Sequence, residues 1–89
     1  MKYQGYTATE RIINYYEIGC PDEEASLIED IMKMNGGTDK DIIIENLRGY
    51  FNSKTPSDKL VAESYNYMLE RVNWDTVYTN YRRDILGKA

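Results

Sequence analysis

Histidine is absent from this 89-residue chain. That removes the commonest general base at neutral pH, the usual serine and cysteine triads, and most transition-metal sites. Catalysis is therefore not expected. The single cysteine, Cys20, cannot close an intramolecular disulfide, and without a second cysteine there is neither a C-x-x-C redox pair nor a zinc knuckle. A reducing, cytoplasmic setting fits such a chain. Long apolar runs are also missing: nothing approaches the ~18 apolar residues of a membrane span. The opening Met1-Lys2-Tyr3-Gln4-Gly5-Tyr6 lacks the apolar stretch of a signal peptide. Neither export nor membrane insertion is expected.

Shortness excludes a second core, because two cores in 89 residues would each bury too little surface to fold, so residues 1–89 are read as one domain. With 42% hydrophobic residues the chain is too apolar to be disordered throughout. The formal net charge of −4 is spread unevenly. Residues 1–45 carry ten acids against four bases, and residues 46–89 carry five acids against seven bases. Such asymmetry bears on surface potential and partners, not on fold.

Apolar spacing and stop signals predict five helices. Ile12, Ile13, Tyr16 and Ile18 mark a first helix over 8–18, capped by Thr7 or Thr9 and stopped at Gly19. Cys20-Pro21 followed by Asp22-Glu23-Glu24 opens a second helix to about Met34, with the stripe Leu27, Ile28, Ile31 and Met32. Asn35-Gly36-Gly37 stops it. Thr38, with Asp41 three residues on, approximates a capping box for a third helix carrying Ile43, Leu47, Tyr50 and Phe51. The β-branched run Ile42-Ile43-Ile44 leaves a strand open there. Thr55-Pro56-Ser57-Asp58 starts a fourth helix with Val61, Tyr65, Met68, Leu69 and Val72 inward. The stripe then changes phase, and Trp74, Val77, Tyr78, Tyr81 and Ile85 define a fifth helix beginning after Asn73 and closing at Gly87. The expected architecture is all-α, a compact bundle of about five short helices, with residues 1–6 as a flexible tail.

Several familiar motifs fail on inspection. Asn35 to Asp41 has neither the alternating oxygen ligands of an EF-hand nor the Gly-Lys-Ser/Thr of a phosphate loop. A helix-turn-helix over the same turn would aim Asp39, Asp41 and Glu45 at the phosphates, where cations are needed. Cys20 sits beside Asp22, Glu23 and Glu24, which oppose a thiolate, so it is read as structural. Carboxylates are plentiful, but a bundle this small offers little room for a cleft that would raise one pKa for acid catalysis. No cofactor or metal site is expected.

Two surfaces remain. On the second helix Asp22, Ser26, Glu29, Asp30 and Lys33 lie opposite the apolar stripe, and with Glu23 they form a carboxylate-rich face. The bland reading is a solvated face suited to the helix dipole. The sharper one is a contact for a basic site, such as the nucleic-acid groove of another protein, with Asp22, Glu23, Glu29 and Asp30 as contact residues. The second surface is aromatic and basic: nine tyrosines occur in the chain, and Tyr67, Tyr78, Arg82 and Arg83 are its contact candidates. Tyr65, Tyr81 and Trp74 are read mainly as packing. The leading expectation is a non-enzymatic protein-binding, regulatory or inhibitor module. The alternatives are single-stranded nucleic-acid binding through the Tyr/Arg-rich end, and a self-associating bundle, a homodimer in its simplest form.

Overall fold

The computed structural model describes residues 7–87, so the tail expected over residues 1–6 lies outside the described residues. Five α-helices follow one another: α1 (Ala8–Asn14), α2 (Asp22–Met32), α3 (Lys40–Asn52), α4 (Lys59–Glu70) and α5 (Trp74–Leu86). No strand occurs among the described residues, and the Ile42-Ile43-Ile44 run lies inside α3. The all-α expectation holds.

Each start has a local cause. Thr7 caps α1 in a full capping box, its hydroxyl accepting from the Glu10 amide at 3.1 Å while its own amide donates to the Glu10 carboxylate at 2.9 Å. Thr9, the other cap candidate, accepts instead from the Asn73 amide at 2.8 Å and ties α1 to the start of α5. Asn73 caps α5 through the Thr76 amide at 3.2 Å, which is where the stripe changes phase. Two expected starts are displaced. Asp39, not Thr38, caps α3, since the Thr38 hydroxyl is turned back to the Asn35 carbonyl at 3.3 Å. Asp58 caps α4 by accepting from Leu60 and Val61 at 3.0 and 3.2 Å, which leaves Thr55 and Pro56 in the connector.

The first helix does not run evenly to Gly19. After Asn14 the chain widens into a π-helical turn over Tyr15–Gly19. That turn brings Tyr15 edge-on to Phe51, with ring centroids 5.7 Å apart, and Tyr16 against Tyr81 at 5.5 Å. Its changed phase swings Ile18 into solvent at 79% exposure, so Ile18 is not a core residue as the even spacing implied. Two further stripe residues are corrected. Val61 is 52% exposed, because only the later turns of α4, through Tyr65, Met68 and Leu69, reach the core. Leu27 is exposed because it stands about 100° around α2 from the fully buried Ile28.

The core is Ile12, Ile28, Met32, Ile43, Leu47, Phe51, Leu69, Val72, Val77, Tyr78 and Tyr81. α5 lies at its centre, packed on α1, α2 and α3, whereas α4 rests chiefly on α3. Ile28, Met32, Ile43, Leu47 and Val77 are fully buried, each contributing about 1.5–3 kcal/mol on leaving water. Phe51 is the sole phenylalanine, and tyrosine supplies the remaining aromatic bulk. Its hydroxyls are placed where they find acceptors: Tyr65 donates to the Phe51 carbonyl at 2.6 Å, Tyr78 to the Gly37 carbonyl at 2.8 Å, and Tyr81 to the Ile12 carbonyl. Among the described residues no buried side-chain nitrogen or oxygen lacks a partner.

Candidate functional site on the exposed face of α2

Pro21 is the N-cap of α2, its φ of −64° and extended ψ leading the chain into the helix, and the first turn carries Asp22, Glu23 and Glu24 where carboxylates meet the positive end of the helix dipole. Burial of Ile28 and Met32 fixes the inward side. Asp22, Glu23, Ser26, Asp30 and Lys33 consequently face solvent. Leu27 shares that outer side at 49% exposure, with Glu23 one turn before it and Asp30 one turn after. The face is thus an apolar side chain set between carboxylates, not a uniformly charged surface. Sequence spacing had assigned Leu27 inward, although Glu23 and Asp30 at its own helical positions signalled an outward face.

The two remaining acids of the helix do structural work. Glu29 is half-buried and accepts from the Tyr16 hydroxyl at 2.8 Å. Burial first, and then this bond to Glu29, push Tyr16 up from 10.0 to about 12. Glu24 accepts from the Tyr50 hydroxyl and pairs with the Lys54 ammonium at 2.6 Å, which ties α2 to the end of α3. The Lys54 bond, followed by that of Tyr50, holds the Glu24 carboxyl below its ordinary value. Of the four predicted contact acids, Asp22, Glu23 and Asp30 are therefore presented to solvent, whereas Glu29 is engaged within the fold.

The aromatic and basic candidates are separated. Tyr67 stands on α4, 57% exposed, with the Arg71 guanidinium carbon 4.2 Å from its ring centroid and a guanidinium nitrogen bonded to its hydroxyl. One face of that ring is already taken. Tyr78, Arg82 and Arg83 are brought together along α5, around a recess of about 390 Å³ that they share with Thr79. Tyr78 lines that recess with its ring largely buried and its hydroxyl donating to the Gly37 carbonyl. Arg82 donates to the same Gly37 carbonyl at 3.3 Å, and Arg83 is held by Asn80 at 2.6 Å and by Asp84 at 3.9 Å.

The Cys20 thiol is half-buried, donates to the Tyr16 carbonyl at 3.8 Å, and is pushed up by burial and by the charges of Glu24, Asp22 and Glu29. Among the described residues no group of three or more acids and Cys20 is gathered to hold a metal ion, and no helix is long and apolar enough to cross a membrane.

Geometry and sequence together define an all-α bundle of short helices with an acidic outer helix face. No protein-family model matches this sequence, and no curated protein and no solved structure shows significant similarity to it.

Proposed function

We propose that this chain is a non-enzymatic protein-binding module, regulatory or inhibitory in effect, that occupies a basic surface of its partner with the outer face of α2. The observation that carries the reading is Leu27 standing half-exposed between Glu23 and Asp30. An apolar side chain that can be desolvated, flanked by charges that steer approach and exclude wrong partners, supports a contact surface. The charge sign selects a partner rich in lysine and arginine, and the nucleic-acid-binding site of another protein is one surface of that kind. A cytoplasmic setting accords with the lone half-buried thiol of Cys20.

Tagged protein incubated with host lysate, half of it nuclease-treated, tests this reading. The expected result is a protein retained from both halves and released by raised salt, as screened charges require. Retention of nucleic acid alone, lost on nuclease treatment, contradicts it and favours direct nucleic-acid binding.

A further inference from the structure

A groove of about 350 Å³ lies between α1 and α4, because α4 leans on α3 more than on α1. Buried Ile12 and Phe51 form its floor. Half-buried Tyr15, Tyr65 and Met68 form its walls, and Tyr65 presents carbon there, since its hydroxyl is bound to the Phe51 carbonyl at 2.6 Å. A second recess continues the groove past Tyr15 to Ile18, the most exposed large apolar side chain among the described residues. Two cations stand at the rim: Arg11, exposed and common to both recesses, and Lys54, which also pairs with Glu24 at 2.6 Å. An apolar trough edged by positive charge suits a helix face of the opposite make-up.

The molecule carries such a face itself. On α2, Leu27 is exposed between Glu23 and Asp30, and the half-buried Ile31 one turn on extends the apolar patch. This face shares no residue with the groove. We propose that a second copy of this chain occupies the groove, Leu27 of one copy entering between α1 and α4 of the next while Glu23 and Asp30 meet Arg11 and Lys54. The contact joins two different surfaces, so it is heterologous and can extend from copy to copy. A chain whose α2 face is seated in this way withholds that face from any other basic surface, so self-association competes with partner capture.

Sedimentation velocity of the full chain from about 10 μM to about 1 mM, in low and in raised salt, tests the contact. The expected result is a mass that rises above the 10.4 kDa monomer with concentration and falls back as salt is added. Leu27→Ser with Asp30→Lys removes the face, and Arg11→Glu or Ile18→Asp alters the groove. All four positions are exposed, so helical circular dichroism should be unchanged. Each variant alone should self-associate about tenfold more weakly or worse. Mixed one to one, the face variant and a groove variant should form a dimer, because the groove of the first and the face of the second are both intact. The contact rests on the same α2 face as partner capture, but Arg11→Glu leaves that face whole and should capture partner undiminished, so failure of self-association and failure of capture are read separately. Monomeric wild type up to about 1 mM would overturn the proposal. So would a mixture that stays monomeric, or variants that associate like wild type.

Discussion

The Tyr81 hydroxyl donates to the carbonyl oxygen of Ile12 and so joins the last helix to the first within the core. Both residues are buried, and water cannot replace the phenol without entering packed space. Tyr81→Phe keeps the ring and removes the bond, and is expected to lower stability by about 1–2 kcal/mol in urea unfolding. An unchanged midpoint would show that the bond adds nothing.

Alkali should act through the same class of residue. Tyr16 is pushed up from 10.0 to about 12 by burial and by Glu29, and burial pushes Tyr50 and Tyr81 up as well. A folded-state pKa raised above the unfolded value contributes stability that is complete below 10.0 and lost as pH rises through about 12. Stability followed by circular dichroism is expected to fall across that interval, and less steeply in Tyr16→Phe. Identical alkaline curves for the two proteins would refute this assignment.

Gly37 occupies a turn that other residues cannot enter. Its φ is +81°, and an added Cβ would lie 2.5 Å from Leu86 Cδ1 and 3.2 Å from the Met32 carbonyl oxygen. Its own carbonyl receives Tyr78 and Arg82. Gly37→Ala is expected to cost about 1–3 kcal/mol. Gly36, at φ +76° with open space around it, carries only the backbone penalty, so Gly36→Ala should cost about 1 kcal/mol or less. Thermal unfolding of the two variants side by side checks the order.

Glu17 and Asp84 form a carboxyl pair. The hydrogen bond to Asp84, then burial, then the Asp84 charge raise the Glu17 carboxyl above its ordinary 4.5. The stability this gives is complete below 4.5 and is lost as pH rises through the raised value, leaving two like charges at neutral pH. Glu17→Gln is expected to gain no more than about 0.5 kcal/mol at neutral pH, exposure having screened the repulsion, and nothing below 4.5. A gain that persists in acid would point to another cause.

Local signals carried most of the fold. Thr7, Asn73 and Gly87 act where the sequence placed them because caps and stops depend on neighbours within one turn. The core stripes of α3 and α5 are legible for the same reason, as is that of α2 apart from Leu27. What the sequence could not show depends on partners far along the chain. The π turn at Tyr15 is set against Phe51 and Tyr81, and Glu24 is claimed by Tyr50 and Lys54. The acidic face was legible as composition, but its separation into presented acids and the engaged Glu29 needed the position of Tyr16.

The most direct measurement is capture of the partner by three proteins: wild type, the double variant Glu23→Lys with Asp30→Lys, and Leu27→Ser. All altered positions are exposed and outside the core, so helical circular dichroism should be unchanged. The account predicts that the double charge reversal abolishes capture and that Leu27→Ser weakens it about tenfold or more. Undiminished capture by both folded variants would contradict the assignment of the α2 face.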